Sequence, residues 1–292
     1  MRSVVLPDAL RARPLRSTLL VLAAVAAVAL QPPAACARHL ARLDPTEPIF
    51  TQRAFVETNL ELDSSWDHVP DENDVELAPG ASLVLWQALE LDVELPIALR
   101  VPEHAATVGS VGDVGFAAQL LLCCAPDGPL DYLSIRGEVA APTGSLARET
   151  GGIGSWSVSL LPARRFTIAE QLPDLLLQAQ LAWQQDIRAE TAPGGGSMRQ
   201  QAFVWNLAFA QQYWAGRFRP VGEVLGTTVV DAADARDEGT FVELAGGFWI
   251  APFEDETLLS PVSFGIGFKW PLTDPLESEV TGLLITEWSF GT

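Results

Sequence analysis

The sequence predicts an all-β protein: an antiparallel transmembrane β-barrel of about twelve strands, preceded by a signal peptide. Three observations carry this expectation. From Val262 to Trp270 every second residue is large and apolar, with Ser263, Gly265, Gly267 and Lys269 between them. A period of two belongs to a strand, whose successive side chains point to opposite faces. The pattern returns in Val280, Leu284, Trp288 and Phe290, set against Glu279, Thr281, Glu287 and Ser289. Strands that are apolar outside, small or polar inside and end on an aromatic are those of membrane barrels. Next, no run after residue 37 reaches the ~20 apolar residues of a spanning helix, so a membrane-inserted chain has only a closed barrel open to it. Finally, the tryptophans gather at the ends of the predicted strands rather than in their middles.

In chain order, Arg2, Arg11, Arg13 and Arg16 precede an apolar core from Leu19 to Leu30, and Ala35-Cys36-Ala37 supplies a small-residue cleavage site. Residues 1–37 therefore read as a signal peptide for export. The rival is a lipoprotein signal with Cys36 lipidated, against which Pro33 stands where a lipobox wants Leu. Residues 38–53 form an N-terminal extension, and residues 54–292 the barrel. The first strand is expected from Phe55 to Asp63, followed by an acidic loop from Ser64 to Asp74. The second runs from Val75 to Leu89. The third is the clearest: Leu91, Val93, Leu95, Ile97, Leu99 and Val101 alternate with Asp92, Glu94, Pro96, Ala98 and Arg100. Three charges on one face do not fit a dry core but fit a wet lumen. Further strands are expected at 113–122, 133–141, 155–161, 175–186, 202–214, 219–230 and 240–251, before the two closing strands. An even number suits a single-chain barrel, and closure pairs the last strand, Glu279 to Phe290, with the first.

Composition narrows the partners. Lys+Arg is 18 and Asp+Glu is 37, a formal charge of −19, which excludes the clustered cations that nucleic-acid phosphates require. With both chain ends in the periplasm, Trp86, Tyr213, Trp214, Trp249, Trp288 and Phe290 form a lower aromatic belt, joined by Tyr132 and Phe218. Trp156, Trp183 and Trp270 mark the upper rim. Such belts sit at the two lipid–water interfaces. The expected partners are outer-membrane lipid, the barrel-assembly machinery through the C-terminal strand, and a small-molecule solute.

At Gly112-Asp113-Val114-Gly115-Phe116, and again at Gly137 to Ala141 running into Pro142-Thr143-Gly144, the sequence resembles the outer-membrane proteins of the "MetA-pathway of phenol degradation" family, often described as transporters. The resemblance extends over Val75 to Phe290. It implies an outer-membrane barrel passing small, often hydrophobic or aromatic compounds, and it carries no catalytic residues. Gly291 and Thr292 after the last aromatic depart from outer-membrane habit.

No catalytic constellation emerges. His39, His68 and His104 fall in the tail and in expected loops, none beside a serine at a triad's spacing. No nucleophile elbow or phosphate loop stands in its proper context. Neither a metal nor a cofactor is expected: Cys123-Cys124 in a turn lacks further ligands, and the acidic loop lacks the spacing of a calcium loop. The candidate functional residues are instead charges in mid-strand: Arg136, Glu138, Glu223, Glu243, Lys269 and Glu287. At mid-depth a lipid-facing Arg or Lys costs roughly 2–4 kcal/mol, so all six are expected to point inward as a pairing network with surplus negative charge. They either line a solute pathway or merely fill a narrow barrel. The function expected is passive passage of small solutes, the alternatives being an envelope scaffold or adhesion barrel and, third, a membrane hydrolase.

Overall fold

A computed structural model describes residues 48–69, 72–102, 107–124, 129–144, 153–169, 172–187, 190–191, 197–198, 200–214, 216–232, 238–252, 262–273 and 280–290. The expected signal peptide with Cys36, the histidines His39 and His104, and the terminal Gly291 and Thr292 lie outside these residues.

Among the described residues twelve antiparallel strands make the wall. They are β1 (Thr58–Val69), β2 (Glu72–Leu85), β3 (Leu89–Glu94, resuming at Ile97–Pro102), β4 (Val108–Val111, resuming at Val114–Cys124), β5 (Tyr132–Ala141) and β6 (Ser155–Phe166). The circuit continues through β7 (Leu175–Asp186), β8 (Gln201–Gln211), β9 (Phe218–Asp231), β10 (Gly239–Ile250), β11 (Val262–Pro271) and β12 (Val280–Phe290). Each pairs with its chain neighbours, and β12 closes on β1 from Thr58↔Phe290 to His68↔Val280. Closure was the sharpest structural expectation from sequence, and it is met. It leaves no open edge, which is what lets a sheet satisfy its backbone in lipid.

The alternation read from sequence sets the two faces. Leu91, Val93, Leu95, Ile97, Leu99 and Val101 are all exposed on the outer surface, although β3 breaks at Leu95-Pro96. Pro96 has no N–H for the ladder, yet its carbonyl accepts Gly112 N–H at 2.8 Å and Leu95 N–H reaches Pro79 O at 3.0 Å. The wall therefore stays continuous through the break. Inward positions are small or polar: Gln119, Ser134, Ser159, Gln178, Gln180, Glu223, Ser263 and Glu287 are all buried.

Where the structure departs from the sequence expectations, the causes are local. The acidic loop Ser64 to Asp74 is mostly strand, because β1 and β2 stay in register from Asn59↔Ser82 to Val69↔Glu72. His68 is therefore a strand residue and not a loop residue. Cys123 and Cys124 close β4 and do not form a turn, beside a register shift between Leu121 and Cys123. The β2–β3 turn is tight, with Trp86 and Gln87 both at positive φ (51° and 60°).

The two motifs that carried the family resemblance meet in space. Asp113 accepts the N–H of Gly144 at 2.7 Å and of Gly154 at 2.8 Å. Thr143 Oγ1 accepts Val114 N–H at 2.9 Å and donates to Gly112 O at 3.1 Å. The Gly-Asp turn and the Pro-Thr-Gly turn thus form one clasp between β4 and β5. Gly154 has φ +67°, and a Cβ there would lie 2.6 Å from Ala140 O, so only glycine suits the position.

Candidate functional site

The strands turn their polar faces to a common interior, and residues 48–57 occupy it. The rim where β1 starts and β12 ends is called the near rim below, and the opposite end the far rim. The strap begins against the β9–β11 wall, crosses to β4–β7, and turns into β1 at Thr58.

Its backbone is held by wall side chains. Glu223 of β9 accepts three successive N–H groups: Ile49 at 2.6 Å, Phe50 at 2.9 Å and Thr51 at 2.7 Å. Successive N–H groups converging on one carboxylate form a nest for negative charge. Further along, Gln180 accepts Gln52 N–H at 3.2 Å and Gln178 accepts Ala54 N–H at 3.1 Å. Gln119 Nε2 donates to Arg53 O and Phe55 O, and Ser134 Oγ donates to Ala54 O. Glu90 accepts Glu57 N–H at 2.6 Å and turns the chain into β1.

Apolar packing fixes both ends of the strap. Ala54, Phe55 and Val56 are buried with Leu121, Tyr132, Leu161, Ala163 and Leu176. Ile49 is buried with Ala210, Val221, Trp249 and Ile285, with Phe50 beside it. The glycines of the inward β11 face make room here: a Cβ on Gly267 would lie 2.6 Å from Ile49 Cγ2 and 3.1 Å from Phe50 Cε2. Gly267→Val is expected to push Ile49 off the wall and to lower the unfolding temperature on heat-modifiability gels. Overpacking of this kind costs about 1–3 kcal/mol. An unchanged transition would show that the strap yields freely at this point.

The six charges singled out from sequence fall into three groups on the inward face. Arg136 ion-pairs with Asp92 and lies 3.8 Å from Glu90 and 3.5 Å from Glu138. Glu223 and Glu287 hold the strap, the latter 3.5 Å from the Arg53 guanidinium. Lys269 and Glu243 pair at 3.4 Å, toward the far rim and away from the strap. Arg53, Glu90, Gln119 and Ser134 were missed. No strand periodicity marks residues 48–54, but Arg53 is a cation amid surplus acids, and that imbalance is the available signal. Phe55 and Val56, expected in the first strand, are instead 2% exposed inside the lumen.

The belt residues divide. Trp86 and Trp214 stand 79% and 77% exposed in near-rim turns, Tyr213 bridges to Phe218 at the same rim, and Trp288 faces outward on β12. The Phe290 side chain lies outside what the structure describes. Trp249 does not join them: it is 1% exposed, points into the lumen beneath the Arg219 guanidinium, and packs on Gly265. Tyr132, also 1% exposed, packs inward on Phe55 at 6.4 Å.

One cavity lies against the strap and another lies toward the near rim. On the far-rim side a space of about 350 Å³ is bounded by Ile49 to Arg53 below and by Glu61, Asp63, Asp92, Glu94 and Glu138 on the wall. On the near-rim side a space of about 250 Å³ touches Leu176 and Ala210, one residue from each apolar cluster.

No family model matches this sequence, and no curated protein sequence does. Solved structures do resemble it. An outer membrane channel from Pseudomonas putida F1 aligns with a TM-score of 0.60 at 14% identity, covering 84% of this chain and 100% of its own. The NanC porin aligns at 0.51 with 10% identity, covering 80% and 100%. The β-domain of the Bordetella autotransporter BrkA aligns at 0.50 with 15% identity, covering 80% and 99%. Channels and an autotransporter domain share this architecture, so the likeness is one of fold.

Proposed function

We propose that this protein is an outer-membrane barrel through which small solutes pass passively, and that residues 48–57 close its lumen in the conformation described. One observation carries the reading: a cavity of about 350 Å³ lies on the far-rim side of a single strap that wall side chains hold across the lumen. A barrel whose lumen were simply filled would need no separable segment. Its wall residues would meet one another directly, as side chains do in eight-strand barrels.

The outward apolar face supports a lipid environment, and the exposed Trp86 and Trp214 support interfacial anchoring of the near rim. In this reading the near rim faces the periplasm, and β12 is the strand offered to the assembly machinery. Lys269 and Glu243, clear of the strap, belong to the far-rim wall of the pathway, and Arg136, Glu138, Glu223 and Glu287 to its constriction.

Planar-bilayer recording tests the proposal. The full chain is expected to conduct weakly and in brief openings. A variant lacking residues 48–57 is expected to conduct steadily and several-fold more. Absence of current from both would favour the scaffold or adhesion reading.

A further inference from the structure

We infer that the paired carboxylates of Glu90 and Glu287 form a binding site for the guanidinium group of a transported organic cation, and that Arg53 occupies this site as a tethered stand-in. The inference rests on the channel reading above and gives it a solute class.

Arg53 comes from the strap, not from the wall. Its Nη2 lies 3.1 Å from Glu90 Oε1 and its Nη1 lies 3.5 Å from Glu287 Oε1. The clamp thus joins two strands, β3 and β12, that lie on either side of the β1–β2 pair. Each carboxylate has its own support: Glu90 Oε2 accepts Glu57 N–H at 2.6 Å, and Glu287 Oε1 accepts Asn59 Nδ2 at 2.5 Å. Asn59 belongs to β1 and Glu57 is the last strap residue before it, so these supports remain when only residues 48–53 move.

Both carboxylates are nearly fully buried, with side-chain exposures of 1% and 4%, whereas Arg53 retains 12% and borders the far-rim cavity. Withdrawing the guanidinium alone would take from two buried anions the cation they share, with Arg136 remaining 3.8 Å from Glu90, and loss of a buried partner is strongly unfavourable. The strap therefore leaves most readily when another cation arrives. A planar fork of N–H donors matches two carboxylates better than a compact ammonium does. The approach to the site is also prepared, because Glu61, Asp63, Glu94 and Glu138 line the cavity through which the solute would come. A volume of about 350 Å³ lies in the range of small-molecule sites. The solute exchanges for Arg53 with no change of charge in the clamp, and its preference for the strap-free state shifts the population toward opening.

The test uses the full chain in planar bilayers, with methylguanidinium chloride replacing part of the potassium chloride at constant ionic strength. Methylguanidinium is expected to raise the open fraction several-fold in a saturable way. Tetramethylammonium, equally charged but without N–H donors, is expected to leave it unchanged. Arg53→Met should be open without methylguanidinium and gain nothing from it. Arg53→Lys keeps the charge and provides a second variant should Arg53→Met fail to fold. Its half-maximal methylguanidinium concentration is expected to fall several-fold. No response of the full chain to methylguanidinium, or an equal response to tetramethylammonium, overturns the proposal. The strap-deleted barrel separates the two readings. Current through it without a methylguanidinium effect on the full chain removes the clamp alone, whereas no current through it removes the channel reading as well.

Discussion

Glu223→Ala is expected to release the first turn of the strap from the wall while leaving the barrel folded. The carboxylate receives three backbone N–H groups within 2.9 Å, from Ile49, Phe50 and Thr51. With alanine in its place, those three donors would be buried without an acceptor if the strap stayed where it is. Each such donor costs about 1–3 kcal/mol, so the three together disfavour the closed position by at least about 3 kcal/mol. Every 1.4 kcal/mol is a factor of ten, and the ratio of released to seated strap should rise about a hundredfold. The apolar contacts of Ile49 oppose release, because full burial of such a side chain is worth about 1.5–3 kcal/mol. Ile49→Ala combined with Glu223→Ala should therefore open further than either alone. Maleimide labelling of Thr51→Cys in a Cys123→Ala, Cys124→Ala background reads the release directly, and bilayer recording reads its consequence. A labelling rate and conductance both unmoved by Glu223→Ala would show that Glu223 is no latch.

Leu160→Arg, in the middle of β6, is expected to destabilise the membrane-embedded protein by about 2–4 kcal/mol. Leu160 faces outward at 40% exposure, between Ile135 and Leu181 on the neighbouring strands. An arginine there meets hydrocarbon unless it can reach the interface. Three residues earlier on the same strand, Ser157 has the opposite parity and lies beside Glu138 on β5. Ser157→Arg enters a wet, acidic lumen and should leave stability nearly unchanged. Urea titration of both variants in phospholipid vesicles measures the contrast. Equal losses would mean that the two faces do not see different solvents.

The mid-strand charges share one property: the face each takes follows from a period of two along a single strand. That is why Arg136, Glu138, Glu223, Glu243, Lys269 and Glu287 could be assigned a face before any tertiary information. The same rule, applied consistently, assigns Trp249 to the lumen, because it shares parity with Glu243 on β10. Its place near a strand end suggests a belt residue, but its side of the strand decides the outcome. The same is true of Tyr132, since Ser134, Arg136 and Glu138 carry its parity inward.

The strap was beyond this rule. Residues 48–54 show no alternation, residues 55–57 only continue the pattern of β1, and the groups that hold the strap come from β3, β4, β5, β7, β9 and β12, separated in sequence by as much as the 234 residues between Arg53 and Glu287. Hydrogen bonds of that reach exist only once the barrel has closed and its inward side chains converge. The sequence by itself determined a wall: twelve alternating segments, apolar without and polar within, with the last strand closing on the first. Alternation is a local property, enforced at every residue by lipid on one side and water on the other. What fills the lumen was decided by tertiary structure, because that depends on which inward side chains meet across the barrel. There an unpatterned segment carrying one guanidinium found three carboxamides, a serine and four carboxylates that the wall strands brought to the same place.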